Sequence, residues 1–512
     1  MSAPDTRRAG RREWVGLAVL TLPCLLYAMD LTVLNLAVPH LSADLRPSSA
    51  QLLWIVDVYG FMVAGSLITM GTLGDRIGRR RLLLAGAAAF GLASVLAAYA
   101  GSAATLIAAR ALLGVAGATL APSTLSLLRS MFPDPRQRTV AVGVWISSFS
   151  AGGAIGPLLG GLLLQWFWWG SVFLLAVPVM ALLLVFGPLL LPEYRDPGAG
   201  RPDLRSAGMS LVAVLLVVYG LKQLAEGGVA WLALLAIAAG LAVGAGFVRR
   251  QRALADPLLD LRLFRIPTFR AALVTNVLSF FVGFGALLFV AQYLQLVLGL
   301  SPLRAGLWML PSSAGFIVGS LLTPPLARRL PPRLLMAGGL LLAAAGFALL
   351  TLLGSGSGLA LLVAGSVVFS LALAPVDTLA TDLAVGAAPP ERAGAASALS
   401  ETSAELGGAL GIAVLGVIGT AVYRGQVVEA VPAGVPAAAA AAARDTLGGA
   451  VAAAGQLPGQ RGALLLDAAR QAFTQGLHLA FGVSAAAAVA VAALTVVLLR
   501  ATRPARAGGH TG

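Results

Sequence analysis

Fourteen apolar runs, each long enough to cross a bilayer as a helix and separated by short arginine-bearing segments, dominate this 512-residue chain. A spanning helix needs about 20 apolar residues, because the hydrocarbon core is ~30 Å thick and a helix rises ~1.5 Å per residue. The runs cover residues 14–39, 51–72, 82–100, 105–128, 139–164, 168–191, 207–225, 229–248, 268–294, 304–327, 333–353, 359–384, 397–421 and 475–500. Only 11% of residues are charged and 58% are hydrophobic. A soluble domain carries about 25% charged residues, so this chain lacks the polar coat that a water-soluble core of its size requires. The lipid bilayer is its solvent, and the first run is read as a retained span rather than a cleaved leader.

The net charge of +14 comes from arginines placed between the runs. Along an alternating path, 27 of the 35 basic residues fall on one side and 7 on the other, with Arg110 inside a span. The positive-inside rule then puts both termini in the cytoplasm. Aromatic residues do not interleave with the basic clusters, so nucleic acid is not an expected partner. One cysteine, Cys24, allows no disulfide, and His40, His478 and His510 have no metal-ligand spacing. No metal is expected.

The organisation expected is an N-terminal six-helix half (1–191), a charged, Pro-rich cytoplasmic linker (192–206), an additional helix pair (207–248) and a C-terminal six-helix half (249–512). In the pair, Lys222, Glu226 and Gly227–Gly228 are assigned to a tight external turn. The last half contains an external segment, 423–474. Its alanine run 437–443 suits short helices over the outer face, and a mobile low-complexity loop fits equally.

Two glycine patterns carry the conformational signal. Gly71, Gly74, Asp75, Arg76, Gly78, Arg79, Arg80 and Arg81 join spans two and three. The glycines permit a tight turn, Asp75 suits a helix N-terminus, and the arginines suit lipid headgroups. Gly143, Gly152, Gly156, Pro157, Gly160 and Gly161 lie in span five, where small residues let helix backbones approach closely and the proline kinks the helix.

Ionisable residues inside spans are costly and mark functional sites. Asp30 in span one, Asp57 at the start of span two and Arg110 in span four all fall in the outer half of the membrane. Either carboxylate can exchange a proton or attract an organic cation, with Trp54, Tyr59 and Phe61 as aromatic faces. Mutual neutralisation of Asp30 and Arg110 is the alternative. Glu401 and Glu405 are four residues apart in span thirteen, share a helix face and titrate as a pair. With Asp377 and Asp382 they form an acidic cluster in the inner half, unless they are simply exposed to the cytosol. No phosphate-binding loop is present, so ATP is not the expected energy source.

The 71–81 loop, the span-five glycines, Trp168-Trp169-Gly-Ser-Val-Phe173 and Leu191-Pro192-Glu193-Tyr194 resemble the fourteen-helix drug:H+ antiporters of the major facilitator superfamily, nearest the exporters of quaternary ammonium compounds and dyes. That resemblance implies an all-α integral membrane protein of two pseudo-symmetric six-helix bundles plus a central helix pair. It implies a latch role for the 71–81 loop and cation or proton roles for Asp30, Asp57 and Glu401. It implies proton-coupled efflux of lipophilic organic cations from a bacterial inner membrane, by a monomer driven by the proton gradient without a cofactor. The glutamine that usually precedes the first glycine of the span-four motif is Leu113 here, and span ten has no acid. Rival readings are export of one antibiotic or metabolite, import, a membrane enzyme and a non-transporting receptor. No nucleophile–base pair or metal cluster favours the enzyme, and no sizeable soluble domain favours the receptor.

Overall fold

The computed structural model describes residues 8–193, 203–225, 230–254, 257, 261–354, 358–388, 393–432, 434–458 and 460–500. Most of the linker, the turn Glu226–Gly228, Arg392 and the Asp75 side chain lie outside the described residues. The helices in chain order are α1 (Arg11–Leu45), α2 (Ser49–Ile77), α3 (Arg79–Ala98), α4 (Ala103–Gly117), α5 (Leu120–Met131), α6 (Pro135–Trp166), α7 (Ser171–Leu174) and α8 (Ala176–Leu190). They continue with α9 (Leu204–Ala225), α10 (Ala230–Ala253), α11 (Pro267–Gln292), α12 (Pro302–Ala327), α13 (Pro332–Leu350) and α14 (Leu359–Ala387). The last four are α15 (Ala393–Ala430), α16 (Ala437–Asp445), α17 (Leu447–Ala454) and α18 (Gln460–Arg500).

Fourteen helical stretches among the described residues are long and apolar enough to cross a membrane. Two are broken where the sequence reads as continuous. Span four splits between α4 and α5 at Ala118–Thr119, because Pro122 offers no N–H to the Ala118 carbonyl. Span six splits into α7 and α8 in the same way, with Pro178 four residues past Leu174. The other spans are continuous helices, the form in which a backbone satisfies its own polar groups in a hydrocarbon solvent.

The chain forms two six-helix bundles, α1–α8 and α11–α18, with the antiparallel pair α9–α10 packed through α9 against α2 and α15. Glycines set the closest approaches inside the pair: Gly220 sits against the Ala233 carbonyl and Gly240 against that of Ala213. Asp203 ties the base of α9 to Arg250 of α10 at 3.1 Å. Phe61 of α2, Val218 of α9 and Ala409 and Ala413 of α15 form one apolar cluster, so the added pair touches both bundles.

Helix α1 begins at the arginine-rich end of the bundle, and α18 returns there. At the far end the halves are joined. Gln295 donates to the Leu36 carbonyl at 3.0 Å. Gly161 of α6 lies against Pro302 and Leu303 of α12, and Gly306 of α12 lies against the Pro157 carbonyl. The segment after α15 folds as the two short helices α16 and α17. They cap this end through the Ser49 hydroxyl on the Asp445 carbonyl and through Gly448 against Ser42. Helices α15 and α18 extend well past the sequence-derived limits, to Ala430 and from Gln460.

Candidate functional site

Helix α6 presents Gly152, Gly156 and Gly160 to α1 on one face, where they meet Leu25, Met29 with Thr32, and Val33. This close seam sets the position of Asp30 on α1. Gly143 and Gly153 meet nothing within 4 Å, so they take no part in the seam. The other motif loop is fixed by Gly78, whose φ of 112° favours glycine and which lies against the Glu193 carboxylate. Glu193 accepts from the Arg80 backbone at 3.1 Å and faces the Arg80 and Arg81 guanidinium groups at 3.6 and 3.8 Å. Arg79 donates to the Pro122 carbonyl at 3.4 Å. These contacts stay within the N-terminal half.

Arg110 is 1% exposed and fully partnered. Its Nη1 lies 2.6 Å from Asp30 Oδ2, its Nε donates to the Ile55 carbonyl at 3.1 Å, and its Nη2 to Val56 at 3.3 Å. Its guanidinium also stacks over the Tyr59 ring at 4.9 Å. The neutralised pair is therefore the alternative the structure takes for Asp30 and Arg110. Tyr59 is fully buried beneath that cation and does not serve as an open aromatic face.

Asp57 is also paired, with a residue that sequence reasoning places elsewhere. Instead of lying in an external turn after α9, Lys222 is 1% exposed and points inward. Its Nζ donates to Asp57 Oδ1 at 3.0 Å, lies 2.9 Å from Oδ2, and sits 3.9 Å from the centroid of the Trp54 ring. A lysine three residues before a helix end reads as an interfacial charge, and only packing of α9 on α2 turns it inward. Its one sequence signal is composition: the other 34 basic residues are all arginine.

Between the halves lies a small hollow of about 30 Å³. Leu34, Val56, Asp57, Gly60 and Arg110 line it from the N-terminal half, and Phe280, Phe284, Glu405, Gly408 and Ile412 from the C-terminal half. Phe280 and Phe284 stack at 5.8 Å and supply the aromatic wall assigned from sequence to Trp54 and Tyr59. Gly407 and Gly411 let α15 press on the α11 backbone at Val277 and Phe281, which aims Glu405 inward.

Glu405 accepts a hydrogen bond from Tyr27 of α1 at 2.5 Å, a contact across the two halves. Among the described residues neither Glu405 nor Glu401 has a basic partner. Glu401 is exposed, yet close enough to Cys24, Tyr27 and Glu405 to act on them electrostatically. Asp377 is half-buried beside Ser279 of α11, and Asp382 is exposed. The acidic group expected from sequence is thus split: Glu405 lines the hollow, Asp377 is half-buried, and Glu401 and Asp382 are exposed. No group of three or more potential metal ligands occurs among the described residues.

A multi-pass membrane protein whose two helical bundles enclose a hollow with a carboxylate that has no basic partner among the described residues is a transporter. Residues 21–412 match the family model "Major Facilitator Superfamily". The chain is 46% identical to the multidrug efflux pump LfrA of Mycolicibacterium smegmatis, over 97% of this chain and 98% of that one. It is 37% identical to the methyl viologen resistance protein SmvA of Salmonella typhimurium, over 90% and 93% of the two chains. Its fold is similar to that of a bacterial homolog of the human lysosomal transporter Spinster in an inward-facing, unoccupied conformation, with a TM-score of 0.66 and 18% identity over 96% and 98% of the chains. The chain belongs to the major facilitator superfamily.

Proposed function

We propose that this protein exports lipophilic organic cations, several drugs among them, from the cytoplasm of a bacterial cell across its inner membrane in exchange for protons. The observation that carries this reading is Glu405. It faces a hollow shared by both halves, lacks a basic partner among the described residues, and is held by a phenol from the opposite half. A carboxylate kept in such a place is expensive unless it handles charge in transit. The names of the relatives support this reading: one is a multidrug efflux pump, and another gives resistance to methyl viologen, an aromatic cation.

In this reading the arginine-rich end is cytoplasmic, as the positive-inside rule requires. A cation reaches Glu401 from that side, moves to Glu405 along the wall formed by the Phe280 and Phe284 rings, and replaces a proton. The halves then rock about the hollow, the α6–α12 contacts at the far end part, and the cation leaves as protons return. The Tyr27–Glu405 bond reports the state of the site to the other half. The protein works as a secondary active carrier and a monomer, with the proton gradient as its energy source and no cofactor.

The test is dye efflux from proteoliposomes with an imposed pH gradient, comparing wild type with Asp30→Asn, Asp57→Asn, Glu401→Gln and Glu405→Gln. Gradient-dependent efflux that fails in the two glutamate variants is expected. Flux indifferent to the gradient, or full activity in all four variants, would reject the mechanism.

A further inference from the structure

Lys222 is the sole lysine among 512 residues that include 34 arginines. It is 1% exposed and belongs to α9, one of the two helices added between the bundles. Its ammonium is held by the Asp57 carboxylate at 2.9 and 3.0 Å and by the Trp54 ring at 3.9 Å. A carboxylate plus an aromatic face is the chemistry by which proteins hold organic cations. Asp57 also lines the hollow, so a cation there would compete with Lys222 for the same carboxylate.

We propose that Lys222 is a tethered competing cation, a specificity-determining residue that fills the Asp57–Trp54 cage and sets how strongly a lipophilic cation must bind to enter it. This rests on the cation-export reading. Lysine suits such a role better than arginine. Its charge is a compact point on a flexible stem, so it can leave one carboxylate without the planar, two-bond geometry that locks a guanidinium. Arg110 shows the locked case, held at once by Asp30 and two backbone carbonyls. The other charged groups facing Asp57 are accounted for. Arg110 of α4 is matched by Asp30, and Glu405 of α15 is held by Tyr27. The charge that balances Asp57 is therefore that of Lys222, and a mobile cation can take its place only by displacing it. The added helix pair then has a definite role, which is to carry the competitor into the site.

The experiment uses the purified full chain and tetraphenylphosphonium as probe, with binding measured at pH 8. Lys222→Met leaves Asp57 buried without a counter-ion, and binding is expected to tighten about tenfold or more. Lys222→Met with Asp57→Asn removes both charges and is expected to lose that gain. Unchanged or weaker binding by folded Lys222→Met overturns the proposal and makes the pair a structural clip. Because the chain has one lysine, 15N label on the lysine side chain gives a single resonance in the wild-type protein, a readout independent of any variant's folding. Saturation with tetraphenylphosphonium is expected to shift it along the binding curve, and no shift at saturation overturns the proposal. Wild-type protein that does not bind the probe at all overturns the cation-export reading and this proposal together. Binding without a lysine response overturns this proposal alone.

Discussion

The two halves treat their buried charges differently. In the N-terminal half each carboxylate near the hollow has a cation of its own: Asp30 has Arg110 and Asp57 has Lys222, with three of the four side chains at 1% exposure or less and Asp30 at 11%. In the C-terminal half Glu401 and Glu405 have none among the described residues, and Glu405 is met only by a phenol. A closed ion pair holds helices in place, because losing either member strands a charge in a poor solvent. An unpaired carboxylate leaves its charge to be balanced by something that comes and goes. The Asp30–Arg110 pair, held also by two backbone carbonyls, therefore reads as an anchor. Asp57 is open to exchange only when Lys222 is displaced, and Glu405 in the other half exchanges ions without that competitor.

The largest effect expected from this contrast is on stability, at the anchoring pair. Arg110→Met strands Asp30 and should cost about 3–5 kcal/mol, seen as loss of thermal stability in detergent, whereas Arg110→Met with Asp30→Asn should recover most of it. If the single and double variants are equally unstable, the pair is not what anchors α1 to α4. In the other half, Glu405→Gln should leave thermal stability near wild type and reduce gradient-driven dye efflux by about tenfold or more, the loss of a contact to a charged group worth ~1.5–3 kcal/mol.

The glycine seam that carries Asp30 offers a sharper test. A Cβ at Gly152 would strike the Leu25 carbonyl, so Gly152→Val should destabilise by about 1–3 kcal/mol, while Gly143→Ala and Gly153→Ala, which meet nothing, should be neutral by the same thermal assay. Tyr27→Phe removes the bond that spans the halves and should cost Glu405 about 1 kcal/mol of support, read as a change of a few-fold in apparent dye affinity with maximal flux retained.

The smallest effect lies outside the bilayer, at the base of the added pair. Burial opposes ionisation of Asp203, but the Ser206 hydroxyl and amide and the Arg250 guanidinium outweigh it and hold the carboxyl below its ordinary range. A lowered folded value means that its contribution is complete above the ordinary carboxylate range and fades as pH falls through the lowered value. Thermal scans should show a slight acid-side loss in wild type that Asp203→Asn lacks.

Much of this is legible in the chain alone. The fourteen runs, their alternation and the two glycine motifs depend on local composition and spacing, which a hydrocarbon solvent makes decisive. The breaks at Ala118 and Leu175 follow from prolines present in the sequence but need the backbone to be located. Assignment of partners goes less far. The sequence leaves Asp30 and Arg110 open between pairing and transport, places Lys222 in a loop, and gives the aromatic wall to Trp54 and Tyr59 rather than Phe280 and Phe284. Each of these depends on which helix lies across from which, and pattern along one helix carries no such information.

The sequence by itself determined that this chain lives in a bilayer, how many times it can cross, and which residues are too costly to be there without reason. Only the tertiary structure decided which of those costly groups are already balanced, because a charge in hydrocarbon is silenced or left active by a neighbour at about 3 Å that stands 80 or 165 positions away in the chain.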